Sequence, residues 1–301
     1  MIQQTQAMGL DLARTRRRLA AFVELTKPRL VSMILVTTAV GFYLGSWLGL
    51  DYGLLLHTLI GTGLAGGGTL ALNQLIEREE DALMDRTKTR PLPDGRLQPM
   101  DALIFGALLT SVGLVYLMLV VNPLSALVTA LITVSYLFAY TPLKKKTALC
   151  GIVGAVPGAL PPVIGWVAIN GTLSIEAWIL FSIMFLWQMP HSLAIAWLYR
   201  EDYARAGFQL LPVIEPDGRS TGRQVITNCL ALLAVSLLPT LVGLAGTRYF
   251  VVAFCLGCLF LWYGIILART RSRESARQLM FVSLVYLPVL LTAMALDKIP
   301  L

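Results

Sequence analysis

Four oxygen-bearing side chains recur at every fourth position beside the end of an apolar segment: Asn73, Glu77, Asp81 and Asp85. On an α-helix, four residues advance by about 400° and about 6 Å, so successive members share one face. Such oxygens suit Mg²⁺, which takes one or two carboxylates and completes its shell with water and substrate phosphate oxygens. The spacing therefore predicts a magnesium site for a phosphorylated substrate. It leaves a solvated charged loop open as the alternative.

Basic side chains follow these acids directly in the segment DRTKTRP, where Arg86 and Arg90 stand four residues apart. A guanidinium binds phosphate oxygens in a bidentate way and stays charged in a pocket that loses water. One segment therefore offers both metal ligands and phosphate donors.

The elements that carry these residues are membrane helices. The chain has 301 residues, of which 56% are hydrophobic and 14% charged, and this is too apolar for an ordinary soluble domain. About 20 residues cross a bilayer, and nine apolar runs of suitable length occur near 30–50, 55–76, 102–121, 124–141, 149–169, 175–199, 225–245, 249–268 and 278–296. We therefore expect an all-α fold, a polytopic membrane bundle of nine transmembrane helices.

The basic residues test this count of spans. Of the 24 lysines and arginines, all but Arg248 and Lys298 lie before the first span or in alternate connections between spans. The positive-inside rule then predicts a cytoplasmic N-terminus and a C-terminus outside. Residues 1–29 are expected to form a cytoplasmic tail, and residues 30–301 a single transmembrane domain. This topology explains the formal charge of +7 without nucleic-acid binding.

A second polar segment runs from Tyr140 through Lys144, Lys145 and Lys146 into the sequence GIVGAVPGALPPVIGW. The lysines could be a topology anchor or a diphosphate clamp, and the sequence leaves both open. The prolines predict an irregular helix, which a membrane protein tolerates where neighbours or a cavity satisfy the freed backbone groups.

A third polar segment, LWQMPHSLAIAWLYREDY at residues 186–203, places Gln188 and His191 inside an apolar span. His191 lies nine residues before Arg200, about 13 Å below the basic end of the helix. A histidine at that depth is expensive and indicates function. A core histidine with satisfied hydrogen bonds is the alternative.

Motifs along nearly the whole chain carry a resemblance: LTKPR at 25–29, NxxxExxxD, DRTKTRPLP, YTPLKKK, GALPPVIGW, WQMPHS, and EDY followed by LLPV. With them the chain resembles the UbiA-type intramembrane prenyltransferases, and the pair GALPPVIGW and WQMPHS resembles the branch that acts on haem. The resemblance implies a lipid-accessible central cavity with an active site near the cytoplasmic face. It also implies Mg²⁺-dependent transfer of the farnesyl group of farnesyl diphosphate to the vinyl group of haem B, with addition of water, giving haem O and diphosphate.

The same resemblance implies roles for individual residues. The expected catalytic and metal-binding residues are Asn73, Glu77 and Asp81, with Asp202 as a further metal ligand. The expected diphosphate ligands are Lys27, Arg86, Arg90 and Lys145, for which Lys144 is an alternative. The expected haem contacts are Trp187, Gln188 and His191, the last at iron or a propionate. The family's second acidic motif is irregular here, since Glu201 and Asp202 are adjacent and no acid follows at 205 or 206; the number of metal ions stays open.

The expected partners are farnesyl diphosphate and haem B as substrates and membrane lipid, with haem A synthase or a terminal oxidase as a recipient of the product. The short N-terminal segment favours a bacterial inner membrane. A prenyltransferase for an aromatic or chlorin acceptor is the main alternative. A transporter is disfavoured because the charges cluster on one face. A haem electron carrier is disfavoured because the two histidines are expected on opposite sides.

Overall fold

The computed structural model describes residues 15–47 and 49–299, and within these ranges the chain is helical with no β-strand. Nine helices in the described residues are long and apolar enough to cross a membrane. They are α1 (Pro28–Gly45), α2 (Tyr52–Ile76), α3 (Pro99–Val121), α4 (Pro123–Leu143), α5 (Cys150–Asn170), α6 (Ile175–Leu198), α7 (Arg219–Leu241), α8 (Thr247–Thr270) and α9 (Arg273–Leu296). The predicted all-α fold with nine spans is confirmed. The largest difference from the expected boundaries is at the start of α7, which begins at Arg219 and was expected near residue 225. Its first turns carry Arg219 and Arg223, which lower the local hydropathy without ending the helix.

The odd-numbered helices begin, and the even-numbered helices end, at one face of the bundle, which we call the basic face. Three short helices also lie there, Arg78–Leu83, Arg200–Arg205 and Leu211–Ile214. Residues 15–25 form a further helix, and its Ala21 and Leu25 are buried in a small core with residues of α2, α3 and the connection between them. Residues 1–14 of the predicted tail lie outside the described residues. The division at residue 30 stays a prediction.

The main hydrophobic core lies among α5 to α9. It includes Trp166 of α5, Ile183 of α6, Leu232 of α7, Phe260 of α8 and Leu290 of α9, all 2% exposed or less. The helix α6 contacts α5, α7 and α9. Polar side chains on α6 are therefore presented to neighbouring helices on several sides.

Close approach of α1 to α5 depends on small residues. A Cβ atom added at Gly41 would overlap the carbonyl oxygen of Pro162, and one added at Gly165 would overlap that of Thr38. Small residues let membrane helices pack backbone to backbone. This contact holds α1, and with it the residues that precede α1, against the proline-rich helix.

We expect Gly165→Ala to lower the thermal stability of the detergent-solubilised protein, because overpacking typically costs about 1–3 kcal/mol. The matched control is Gly151→Ala in the same helix, where an added Cβ would meet nothing within 4 Å. Thermal unfolding followed by tryptophan fluorescence measures the difference. Equal midpoints for the two variants would contradict the assigned contact.

Candidate active site

The row of Asn73, Glu77, Asp81 and Asp85, which we call the acidic ladder, crosses the junction between α2 and the short helix Arg78–Leu83. Its first three members keep the helical register. The Glu77 N–H donates to the Asn73 carbonyl at 3.0 Å, and the Asp81 N–H to the Glu77 carbonyl at 2.8 Å. Asn73, Glu77 and Asp81 are buried, at 1%, 7% and 1% exposure. The helix ends at Leu83 and Met84 is extended, so Asp85 leaves the ladder and is exposed.

Each buried member of the ladder meets a cation from a different part of the chain. The three contacts are Lys27 Nζ to Asn73 Oδ1 at 3.1 Å, Lys144 Nζ to Glu77 Oε1 at 2.6 Å, and Arg90 Nη1 to Asp81 Oδ2 at 2.6 Å. We call these six residues the acid–cation cluster. Pairing compensates the buried carboxylates, whose isolated charges would be strongly destabilising. The cluster therefore brings the oxygen donors that are expected to hold a metal together with cations that are able to bind an anionic ligand.

Lys27 adopts an unusual backbone conformation at the start of α1. Its φ of 50° lies in the left-handed region, which residues other than glycine seldom occupy. Burial lowers the pKa of the Lys27 ammonium to about 7, and the charge of Arg90 acts in the same direction. Burial therefore favours the neutral form of this side chain. A bound anion would favour the charged form.

The structure distinguishes the lysines that follow α4. Lys144 points into the cluster, with its Nζ 4.5 Å from the centre of the Tyr140 ring and 5.6 Å from that of Phe208. Its carbonyl accepts a hydrogen bond from the Gln209 N–H at 2.6 Å. Lys145, the residue chosen from the sequence, is half exposed and forms an ion pair with Glu80 instead.

Two polar residues near the cluster were not selected from the sequence. Glu80 is out of step with the ladder, yet it is 6% exposed, and its Oε2 has no hydrogen-bond partner in the described residues. Thr141 accepts a hydrogen bond from Asn73 Nδ2 at 3.2 Å and so orients that amide with its oxygen toward Lys27. The acidic run EREED and the threonine of YTPL were the available signals.

The donor set of the cluster suits Mg²⁺ in type, because Asn73, Glu77 and Asp81 supply two carboxylates and an amide oxygen from one buried face. Within the described ranges no three His, Cys, Asp or Glu side chains gather as a ready cage for a metal. Mg²⁺ commonly binds through one or two carboxylates together with substrate phosphates, without a complete protein cage.

Arg205 closes the outer edge of the site between two acids. It pairs with Asp85 at 2.6 Å and also with Asp202. A hydrogen bond from Lys88, and then one from Arg205, lowers the pKa of Asp85. The metal role expected for Asp202 stays a prediction, and in this structure its carboxylate faces a guanidinium.

Arg86 lies apart from the acid–cation cluster. Its Nη2 donates to the Tyr203 hydroxyl at 3.2 Å, and its guanidinium lies over the Tyr199 ring at 5.3 Å. Of the four expected diphosphate ligands, Lys27 and Arg90 are therefore in the cluster, while Arg86 and Lys145 flank it.

The expected haem contacts on α6 divide between two neighbouring helices. Gln188 Nε2 donates to the Ala155 carbonyl of α5 at 2.7 Å. Trp187 and His191 face α9, where both contact Ser283. Their rings are stacked, with centroids 5.0 Å apart and planes inclined by 14°. Their role toward haem stays a prediction.

Comparison with known proteins agrees with this architecture. The model of the UbiA prenyltransferase family matches residues 34–285, and the chain belongs to that family. Protoheme IX farnesyltransferase from Solibacter usitatus (strain Ellin6076) is 50% identical over 286 residues, which cover 92% of this chain and 98% of that protein. The resemblance found in the sequence motifs is confirmed.

Solved structures show the same fold at low sequence identity. A structure of digeranylgeranylglyceryl phosphate synthase has a TM-score of 0.80 at 19% identity and covers 94% of this chain and 99% of its own. A UbiA homologue from Archaeoglobus fulgidus, bound to GPP and Mg²⁺, has a TM-score of 0.61 at 15% identity and covers 91% and 99%.

Proposed function

We propose that this protein transfers the farnesyl group of farnesyl diphosphate to the vinyl group of haem B, with addition of water, to give haem O and diphosphate. The observation that carries the proposal is the acid–cation cluster, in which buried oxygen donors and phosphate-binding cations meet at one end of an apolar bundle. The choice of haem as acceptor rests on the relative named protoheme IX farnesyltransferase, whose sequence is 50% identical to this chain over 286 residues. Membership of a prenyltransferase family argues against transport.

In this proposal, Asn73, Glu77 and Asp81 hold Mg²⁺, as the Mg²⁺-bound UbiA homologue supports for a divalent metal. When bound, Mg²⁺ supplies positive charge that stabilises a departing diphosphate. Arg90, Lys27 and Lys144 are already held beside the oxygen donors, so little reorganisation is needed as negative charge develops. Arg86 and Lys145 contact the diphosphate from the rim.

The reaction breaks the allylic C–O bond of farnesyl diphosphate, and the electron pair leaves on the diphosphate. The π electrons of the haem vinyl group form the new C–C bond. Water adds to the resulting cation and releases one proton. The apolar bundle would limit capture of the farnesyl cation by water before the C–C bond forms.

The test is mass spectrometry of haem extracted after incubating purified protein with haem B, farnesyl diphosphate and Mg²⁺. Haem O is the expected product. A parallel incubation with 4-hydroxybenzoate tests the aromatic alternative. Prenylation of the benzoate with no conversion of haem B would overturn the choice of acceptor.

Metal removal should stop this reaction. We expect EDTA to reduce haem O formation to the background rate and added Mg²⁺ to restore it, because the metal would link the carboxylates to the diphosphate and stabilise the negative charge of the leaving group. Initial rates over a Mg²⁺ titration measure the effect. Full turnover after exhaustive chelation and dialysis would contradict the metal assignment.

We further propose a bacterial inner membrane as the location, with the basic face in the cytoplasm and residues 30–301 as one domain. The excess of lysine and arginine at this face supports the orientation. Haem A synthase or a terminal oxidase would receive the product. Reporter fusions at the C-terminus test the orientation, and a cytoplasmic C-terminus would contradict it.

A further inference from the structure

Ser283 of α9 contacts both stacked rings of α6. Its backbone carbonyl accepts a hydrogen bond from Trp187 Nε1 at 2.9 Å, and its hydroxyl lies 2.6 Å from His191 Nδ1. Ser283 is fully buried. One residue therefore fixes the position of the tryptophan and the orientation of the imidazole that stacks on it.

The hydrogen bonds of Ser283 define which nitrogen of His191 carries the proton. A serine hydroxyl has one proton, and Ser283 Oγ donates it to the Met280 carbonyl at 2.6 Å, a group that can only accept. The hydroxyl can then offer only a lone pair to His191. The proton of that second bond must come from Nδ1, so in the neutral imidazole the lone pair lies on Nε2.

The Nε2 lone pair has no hydrogen-bond partner among the described residues. No hydrogen bond to His191 Nε2 occurs in the described part of the chain, and the residue is partly exposed. A propionate or a diphosphate offers oxygens that accept hydrogen bonds, so neither complements the Nε2 lone pair of the neutral imidazole. The farnesyl chain has no polar group. A porphyrin iron is a Lewis acid for which neutral imidazole is the ordinary protein ligand.

We propose that His191 Nε2 is an axial ligand to the iron of the porphyrin substrate, and that Ser283 is the positioning residue that fixes the Nδ1–H tautomer. The proposal rests on haem B being the substrate. It decides between the iron and propionate contacts that the sequence leaves open for His191. The stacked Trp187 ring restrains the imidazole plane and thus the direction of the Nε2 lone pair.

The test uses the full-length protein loaded with haem B alone, isolated as a one-to-one complex by size exclusion, so that ligation is measured apart from turnover. We expect the wild type to show the absorption and resonance Raman signature of histidine-ligated iron. His191→Ala should lose that signature, and added imidazole should restore it. An unchanged spectrum in His191→Ala would overturn the proposal, whether or not the variant still formed haem O.

Ser283→Ala tests the positioning role. Loss of the partner that orients a metal-bound histidine typically weakens metal affinity about 10- to 100-fold, and we expect this loss of haem affinity together with a lower Fe–imidazole stretching frequency. Ser283→Thr keeps the hydroxyl and should retain the wild-type frequency. Ser192→Ala is the matched control, since this α6 hydroxyl donates to the Met189 carbonyl, whereas the hydroxyl bonded to His191 Nδ1 is that of Ser283.

The outcomes separate the two proposals. An Fe–imidazole frequency unchanged in Ser283→Ala would overturn the role of Ser283. Histidine ligation in the wild type without haem O formation would contradict the proposed reaction and leave the ligand assignment standing. Failure of the wild type to bind haem B would overturn both.

Discussion

Asp81→Asn is expected to abolish most haem O formation, whereas Asp85→Asn retains it. Asp81 is 1% exposed, and its Oδ2 accepts a hydrogen bond from Arg90 Nη1 at 2.6 Å. Asparagine preserves the shape but removes the charge needed for a metal ligand and for pairing Arg90. Removing one group that stabilises developing charge typically lowers turnover about 100- to 1,000-fold, and we expect a loss of this size.

Asp85 is a matched control because it stands four residues after Asp81 and is also a carboxylate in an ion pair, with Lys88 and Arg205, but on the exposed rim. Initial rates by mass spectrometry of extracted haem give the comparison. Asp81→Glu separates folding from function, since it keeps the charge for Arg90 while moving the carboxylate by one methylene. Wild-type turnover in Asp81→Asn would refute the assignment of the metal site.

Lys144→Gln is expected to have the second-largest effect. The Lys144 side chain is 14% exposed and pairs with the buried Glu77 at 2.6 Å, while the Lys145 side chain is 53% exposed. Without Lys144, the Glu77 carboxylate is left uncompensated and the proposed diphosphate site loses one of the three cations of the acid–cation cluster. We expect kcat/KM for farnesyl diphosphate to fall about 100-fold, with lower thermal stability.

Lys145→Gln should have a smaller effect, and Lys146→Gln almost none, because Lys146 is exposed and outside the cluster. The three variants change the same charge at adjacent positions, so their net electrostatic effects are matched. Steady-state kinetics over a farnesyl diphosphate series, with thermal unfolding beside it, measures the order. A larger effect for Lys145→Gln than for Lys144→Gln would favour Lys145, the residue expected from the sequence, as the diphosphate ligand.

Much of the fold follows from local sequence. Each span is recognisable because a bilayer requires about 20 apolar residues and internal backbone hydrogen bonding. The basic residues mark which ends share a face, since the topology alternates. The register of Asn73, Glu77 and Asp81 is also local, because it depends on the helical repeat continuing through Glu77.

Contacts between distant segments were decided only in the tertiary structure. Lys144 and Glu77 are 67 residues apart, and His191 and Ser283 are 92 apart. Such pairs depend on how each helix is rotated and where it crosses its neighbour. No repeat within one helix encodes those quantities.

The choice between Lys144 and Lys145 has a specific physical reason. The end of α4 contains a π-helical stretch, Ser135–Tyr140, closed by a hydrogen bond from Thr141 Oγ1 to the Tyr136 carbonyl at 2.8 Å. A π-helical turn holds more residues than an α-helical turn, so it changes the direction of every later side chain relative to a 3.6-residue repeat. The sequence by itself determined that oxygen donors and cations meet at the basic face of a nine-helix bundle. Only the packed structure decided which lysine meets Glu77 and which serine meets His191, because helix rotation and irregular turns are set by the neighbours.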